Sequence, residues 1–145
     1  MSTVLLMPFG GKSGGTVMFD TGPKKKTIEI VGGVTTETTQ VKFAGYDTSA
    51  EFAGGTGDYI TVKHLTEMEI GSSDFTVRFW IYPTAISGGT RNMFVLTNSW
   101  DIYIDSDGTL KFYDGTNDSI VSSSGLVTTG SWQHIELTRS SGTVY

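Results

Sequence analysis

The chain has 145 residues, of which 37% are hydrophobic and 17% are charged, so it is large enough to bury one core and too apolar for a disordered polypeptide. Its formal net charge of −5 argues against nucleic acid as a partner, because a phosphate-binding face needs clustered Lys and Arg. The chain contains no cysteine, which excludes a disulfide framework, a thiolate metal site and a cysteine nucleophile.

The chain begins with an apolar run that is too short to span a membrane and lacks the basic first region of a secretory signal. We therefore expect no membrane insertion, and Val4–Met7 is predicted as a first buried strand. The next predicted strand is Thr27–Val31, which alternates until Gly32. Glu51–Ala53 and Tyr59–Val62 follow as further short strands.

Residues 63–70 have the least strand-like pattern, and His64, Leu65 and Met68 could form one helical turn there. The clearest strand comes next, over Phe75–Tyr82, and Pro83 ends it because proline cannot donate to a ladder. Its two-residue period predicts four inward side chains, those of Phe75, Val77, Phe79 and Ile81.

A hairpin is predicted from Trp100–Asp105 and Thr109–Tyr113, with Asp107-Gly108 supplying the turn. Residues 132–138 alternate again and place Ile135 and Leu137 inward. Many short strands separated by turn residues are typical of an antiparallel sandwich or barrel.

Four blocks of the chain resemble the laminin G-like jelly rolls of the concanavalin A-like superfamily, and they follow one another in the family's order. The most specific sequence motifs lie in residues 71–83 (GSSDFTVRFWIYP) and 131–139 (SWQHIELTR). Residues 41–62 and the hairpin at 107–112 carry the other two. The first forty residues are similar more loosely, with Leu5–Gly10 and Phe19-Asp20 as an opening strand pair.

The resemblance implies an all-β, antiparallel two-sheet β-sandwich, a concanavalin A-like jelly roll forming a single domain over residues 1–145. In the family the strand after the Arg139 block continues and further strands follow it. This chain ends at Tyr145, so we expect a domain that is C-terminally incomplete and lacks its last strands.

Some glycoside hydrolases share this fold, so we ask whether the acidic residues and histidines of the chain form a catalytic motif. Glu67 and Glu69 are the nearest match to a paired-carboxylate motif, but no third acid follows in the expected spacing. The two histidines, His64 and His134, are interpreted as a solvated and a packed side chain, and no serine triad is apparent. We expect that the chain is not an enzyme.

Metal binding has two candidate loops, since domains of this superfamily often hold Ca²⁺ in rim loops. Residues 105–108, spelled DSDG, are also fully explained by hairpin chemistry. Asp114, Asn117 and Asp118 form a second loop rich in oxygen atoms. We expect no metal site and no cofactor, with Ca²⁺ as the open alternative.

Sugar binding needs exposed aromatic rings beside polar groups. If the even-numbered apolar residues of the predicted hairpin face the core, then Tyr103, Lys111 and Tyr113 share its outer face and are the candidate ligand-binding residues. The alternative is that another subunit covers them or that they only decorate the surface of the sheet. Trp80 and Trp132 are interpreted as buried, Trp100 is left open, and the run Lys24–Lys26 is interpreted as solvated.

Domains with these sequence motifs are common in phage tail fibres and other virion surface proteins. The resemblance therefore implies a non-enzymatic virion surface protein. It would serve as a capsid or tail decoration protein or as a host-attachment module. Its expected partners are other virion proteins, copies of itself and cell-surface glycans. The alternative is a carbohydrate-binding module or adhesion domain of a bacterial surface protein or a carbohydrate-active enzyme, located outside the cell or on its surface.

Overall fold

The computed structural model of the protein describes residues 3–64 and 66–145, which form two compact units, Met1–Glu67 and Met68–Tyr145. The prediction of a single domain over 1–145 stays a prediction. Every regular element in the described residues is a β-strand apart from one 3-10 turn at Thr66–Met68. All strand pairs are antiparallel, so the predicted all-β class is confirmed. Within this part of the chain, no helix is long and apolar enough to cross a membrane.

The first unit contains two small ladders. Strand β1 (Ile28–Val31) pairs with β4 (Tyr59–Val62), and β2 (Thr35–Glu37) pairs with β3 (Ser49–Glu51). The predicted strands at 27–31 and 59–62 are therefore confirmed within one residue. The predicted run over residues 51–53 is wrong beyond its first residue, because the strand ends there and Phe52 is exposed.

The predicted buried strand at Val4–Met7 does not form, and Leu6 is exposed. The physical reason lies just after it, where Pro8 carries no N–H and Phe9 has a φ of 55°, which breaks an extended chain. Leu6 is held instead by two hydrogen bonds: its N–H donates to Asp20 Oδ1 at 3.0 Å, and its carbonyl accepts from the N–H of Thr21 at 2.8 Å. The two opening segments that were expected to pair, Leu5–Gly10 and Phe19-Asp20, therefore do lie side by side, although neither forms a strand.

The helical turn expected within residues 63–70 is present as the 3-10 turn Thr66–Met68. Leu65, which the sequence pattern also places in that turn, lies outside the described residues. His64 precedes the turn and its side chain is exposed.

The second unit is a two-layer sandwich. A three-stranded sheet has the order β11-β10-β5, and a four-stranded sheet has the order β6-β7-β8-β9. Their bounds are β5 Phe75–Ile81, β6 Arg91–Leu96, β7 Trp100–Ile104, β8 Leu110–Tyr113, β9 Asp118–Val121, β10 Gln133–Ser140 and β11 Thr143–Val144.

The inner faces of the two sheets form the core, as the two-residue period predicts. Phe75 and Leu137 from the first sheet meet Ile102 and Phe112 from the second, and the Phe75 and Phe112 ring centroids lie 5.8 Å apart. A neighbouring cluster joins Ile104, Val127 and Ile135. Burying each such side chain contributes about 1.5–3 kcal/mol, so this interdigitation holds the two sheets together.

The β7–β8 hairpin closes as the Asp107-Gly108 pair predicts. The N–H of Gly108 donates to the carbonyl of Asp105 at 3.0 Å, and Gly108 has a φ of 79°. A Cβ at position 108 would lie 2.4 Å from the carbonyl oxygen of Val127. Glycine is therefore required twice here, for the backbone conformation and for the close approach.

Candidate functional site

The three predicted ligand-binding residues lie on one outer face of the second unit. Ile102, Ile104 and Phe112 are buried, so alternation places Tyr103, Lys111 and Tyr113 on the opposite side of β7 and β8. Tyr103 lies opposite Lys111 across the ladder, and Tyr113 lies opposite Asp101. The shared face is confirmed, and ligand binding at these residues stays a prediction.

Lys111 is the centre of a polar network on this face. Its Nζ lies 2.8 Å from Asp105 Oδ2 and 3.6 Å from Asp118 Oδ2. The Tyr103 hydroxyl donates to Asp118 Oδ1 at 2.7 Å, and the hydroxyl of Thr90 donates to Asp105 Oδ1 at 3.1 Å. Lys111 Nζ also lies 5.7 Å from the centre of the Tyr103 ring. These contacts fix the orientation of the tyrosine ring and the lysine together.

The network sets the protonation of both predicted residues. The hydrogen bond to Asp105 raises the pKa of Lys111 despite partial burial, so the ammonium is charged at neutral pH. Burial raises the pKa of Tyr103, and the hydrogen bond and charge of Asp118 raise it further. The Tyr103 hydroxyl is therefore a donor across the neutral pH range.

Tyr113 stands apart from this network and lines a pocket of about 240 Å³ at one end of the four-stranded sheet. The pocket lies between the β6–β7 turn and the β8–β9 turn. Its other lining residues include Asn98, Ser99, Trp100, Asp101 and Gly115. The sequence-based platform is thus split into a polar network around Lys111 and an open pocket beside Tyr113.

Backbone geometry shapes the pocket. Asn98 has a φ of 62°, a left-handed conformation that asparagine tolerates better than most residues. Gly115 has a φ of 94°, and a Cβ there would lie 2.4 Å from the carbonyl oxygen of Ser99. The two turns therefore approach each other backbone to backbone, and a larger residue at position 115 would push them apart.

The pocket combines a ring with hydrogen-bonding groups. Tyr113 and Asp101 are half-buried, and burial raises the pKa of the Asp101 carboxyl. Counting the carboxylates of Asp101, Asp105 and Asp118 against the ammonium of Lys111, this face has a formal charge of −2. Such a face suits a neutral, hydroxyl-rich ligand better than an anionic one.

The two candidate calcium loops use their carboxylates locally. Asp107 Oδ1 accepts the N–H of Thr109 at 2.9 Å, which is turn chemistry. Asp114 Oδ1 accepts the N–H groups of Thr116 and Asn117, each at 2.9 Å. Across residues 3–64 and 66–145, no three histidine, aspartate or glutamate side chains converge as a metal site would require. The expectation that no metal is bound stays a prediction.

The residues considered for catalysis have other contacts. Glu67 forms an exposed ion pair with Lys24 at 2.9 Å, and that hydrogen bond lowers its pKa. Glu69 is exposed. The His134 ring lies against Trp80, with a centroid distance of 5.0 Å, but His134 is exposed, so this contact lies on the outside of the sheet.

The prediction that Trp80 is buried is wrong, because 38% of this residue is exposed. Phe79 and Ile81 face the core, and alternation therefore turns Trp80 outward. Trp132, also predicted to be buried, is only half-buried and lies against Tyr82 with 5.6 Å between ring centroids. Trp100, whose burial the sequence does not predict, is buried, and its Nε1–H donates to the carbonyl of Met68 at 3.0 Å.

The interpretation of Lys24–Lys26 as solvated holds for its first two residues and is wrong for the third. Lys26 is buried, and within the described part of the chain its Nζ has no hydrogen-bond partner. Its N–H donates to Asp20 Oδ2 at 2.8 Å, which anchors the backbone of Lys26 beside a buried carboxylate.

Two features of the site were missed by sequence reasoning. Asp101 precedes Tyr103 by two residues, so the same alternation that selected Tyr103 could have placed it on the outer face. The sequence around Asn98 indicates only a turn. Asn98 lines the pocket because its turn lies beside the turn that contains Gly115, and the sequence does not show that proximity.

Comparison with known protein families found a match over residues 54–145, to the model described as the concanavalin A-like lectin/glucanases superfamily. Comparison with curated proteins and comparison with solved structures found no match. The matched range contains the whole second unit and strand β4, and so includes the polar network and the pocket beside Tyr113. A domain of this kind fits carbohydrate binding or adhesion. The chain belongs to the concanavalin A-like lectin/glucanase superfamily.

Proposed function

We propose that this protein is a non-enzymatic carbohydrate-binding module of a virion surface, where it serves in host attachment or as a decoration protein. The observation that carries the proposal is the pocket beside Tyr113, where a half-buried ring and Asp101 line a space of about 240 Å³. A sugar ring presents an apolar face and a rim of hydroxyls. Tyr113 can stack on the apolar face while the Asp101 carboxylate and the Asn98 amide bind hydroxyls.

The charge of this face limits the classes of ligand that can bind to it. Its three carboxylates outnumber its single lysine, and the lysine is already bound to Asp105 and Asp118. An incoming carboxylate or sulfate would meet net negative charge, and the ammonium of Lys111 is already paired with two carboxylates. We therefore propose that the ligand is a neutral glycan.

The absence of catalysis is part of the proposal. Of the three carboxylates on this face, Asp101 is the single acid among the residues that line the pocket, and Asp105 and Asp118 are both paired with Lys111. Asp118 also accepts from Tyr103, so neither carboxylate is placed to protonate a leaving group. Release of reducing sugar by the purified protein would overturn this part of the proposal.

A glycan array probed with the full chain tests the binding function. We expect selective binding of neutral glycans, weakened at least about tenfold in Tyr113→Ala, because the stacking ring is lost. Tyr113→Phe keeps the ring and should retain most of the affinity. Tyr46→Ala removes an exposed ring of the first unit and should have no effect. Absence of any glycan binding, or full binding by Tyr113→Ala, would contradict the pocket assignment.

The virion location needs its own experiment, because sugar binding does not determine where a protein works. Quantitative mass spectrometry of purified virions should find this chain at a stoichiometry comparable to other structural proteins. Its absence from virions, with secretion from bacterial cells instead, would favour the adhesion alternative.

A further inference from the structure

The β1–β4 ladder of the first unit separates apolar from polar side chains. Its apolar face consists of half-buried residues, namely Ile28, Ile30, Ile60 and Val62. On the other face, Glu29 lies opposite Thr61, and both are exposed. The pairing continues one residue beyond the ladder, because the N–H of Lys63 donates to the carbonyl of Thr27 at 3.3 Å. Strand alternation therefore places these four polar side chains together on one exposed face.

These four side chains, together with Val62, line a cavity of about 300 Å³. This volume lies at the lower limit of small-molecule sites, which span roughly 300–1,000 Å³. Thr27 and Glu29 precede residues 54–145, the range that the family model matches, so the complete cavity is not a feature of the matched domain. The cavity has the size for a small molecule and belongs to the first unit alone.

The charged groups of the cavity are of opposite sign and do not neutralise each other. Lys63 lies two residues beyond Thr61, the partner of Glu29, so the Glu29 and Lys63 positions are diagonal neighbours about 7–8 Å apart. Both side chains are long enough to meet across that distance. In residues 3–64 and 66–145, however, no ion pair joins them. Glu29 Oε2 instead accepts a long hydrogen bond from the hydroxyl of Thr61, at 3.4 Å.

We propose that this cavity binds a small zwitterion, either a free amino acid or a short peptide with both termini charged. The ammonium of the ligand binds the Glu29 carboxylate, and its carboxylate binds the Lys63 ammonium. A ligand with a single charge is attracted by one of these groups and repelled by the other, so the pair favours a molecule that carries both charges. The hydroxyls of Thr27 and Thr61 can donate to or accept from the same ligand.

This inference is independent of the proposed function. It concerns a different class of ligand, and its cavity is formed by residues of the first unit, whereas the pocket beside Tyr113 is formed by residues of the second. One site can therefore be removed by substitution while the other is kept.

The probes for the test are glycine, γ-aminobutyrate, diglycine and triglycine, which hold their two charges at increasing separations. Each is titrated into the isotopically labelled full chain, and the amide chemical shifts of residues 27–29 and 61–63 are followed by NMR. We expect at least one probe to bind with a dissociation constant on the order of 1 mM, because both charged groups are exposed to solvent. The charge separation that binds best distinguishes an amino acid from a peptide.

Two modified probes test the requirement for both charges. N-acetyl-diglycine lacks the ammonium and diglycine amide lacks the carboxylate. Each should bind at least about fivefold more weakly than diglycine, because one of the two ion pairs cannot form. Equal binding of all three would show that one charge is sufficient and would overturn the inference.

Substitutions assign the binding to the cavity. Glu29→Gln and Lys63→Met should each weaken binding about fivefold, and both positions are exposed, so the fold should be retained. The matched controls are Glu51→Gln and Lys12→Met, which each remove an exposed charge of the first unit outside the cavity and should leave the affinity unchanged. The double variant Glu29→Lys with Lys63→Glu exchanges the two charges and should recover the binding that Glu29→Lys alone abolishes.

Two further results would overturn the inference: no amide shift with any probe up to about 50 mM, or full binding by Glu29→Gln. Its failure is distinguishable from failure of the proposed function. Tyr113→Ala should keep zwitterion binding, and Glu29→Gln should keep glycan binding, so each site is tested by a variant that leaves the other intact.

Discussion

The buried carboxylate of Asp20 accepts a hydrogen bond from the backbone N–H of Leu6, 14 residues earlier in the chain, at 3.0 Å. The N–H groups of Gly22 and Lys26 donate to the same carboxylate, each at 2.8 Å. One side chain therefore connects three backbone segments that form no ladder with one another. This contact replaces the strand pair that the opening residues were expected to make.

Replacing Asp20 with alanine should lower the free energy of unfolding by about 3 kcal/mol, because three backbone donors lose a charged acceptor. Urea unfolding followed by tryptophan fluorescence and circular dichroism measures the change. Asp47→Ala removes an exposed carboxylate and should change stability by less than about 0.5 kcal/mol. Equal stability of the two variants would show that the Asp20 contacts contribute little.

The same carboxylate predicts an acid dependence of stability. Burial opposes ionisation of Asp20, but the N–H donors of Lys26, Leu6 and Gly22 outweigh it and hold its pKa below the ordinary value of 3.8. A lowered folded-state pKa gives stability that is complete above about pH 4 and is lost as the pH falls through the folded-state value. The difference in unfolding free energy between the parent chain and Asp20→Asn should therefore shrink below pH 4. A difference that stays constant from pH 6 to pH 2 would contradict the assignment.

Gly108→Ala should destabilise the second unit by at least about 3 kcal/mol. The substitution adds a left-handed backbone cost of about 1–2 kcal/mol to a clash with the carbonyl of Val127. Gly130→Ala is the matched control, because its φ of 78° is nearly the same and a Cβ there meets nothing within 4 Å. Thermal unfolding of both variants isolates the clash, and equal losses would show that the hairpin tip can move away from Val127.

Tyr103 should ionise at a higher pH than an ordinary tyrosine. Burial, followed by the hydrogen bond and charge of Asp118, raises its pKa above the ordinary value of 10.0. Because the neutral form is favoured in the folded state, this contribution to stability is present below pH 10 and is lost as the pH rises through the folded-state value. An alkaline titration of phenolate absorbance should lose its highest component in Tyr103→Phe. Tyr59→Phe, at an exposed position, is the control variant for the loss of one tyrosine.

Lys26→Met should stabilise the protein by about 1 kcal/mol. The Lys26 Nζ is buried without a hydrogen-bond partner in the described residues, and methionine keeps the apolar stem while removing the polar group. Lys12→Met, at an exposed position, should change the unfolding free energy by less than about 0.5 kcal/mol. Destabilisation by Lys26→Met in urea unfolding would show that the buried ammonium has a compensating interaction.

Strand alternation predicted much of the second unit. The inward set from Phe75 to Ile81, the Gly108 turn and the shared outer face of Tyr103 and Lys111 all follow from the two-residue period and turn chemistry. Those features depend on the φ and ψ angles of consecutive residues, and these angles are determined largely by the side chains nearby in the sequence. The same rule places Trp80 outward, where the structure has it, whereas the resemblance to the family predicts a buried residue at this position.

What the amino-acid sequence determined by itself was the all-β class, the superfamily and the side of each strand that faces the core. The tertiary structure decided which distant groups meet: Asp105 and Asp118 at Lys111, Asp20 at Leu6, and the two turns that enclose the pocket beside Tyr113. The reason is physical. Alternation is a property of neighbouring residues along one strand, whereas these contacts depend on sheet register and on the close approach of segments that are far apart in the chain.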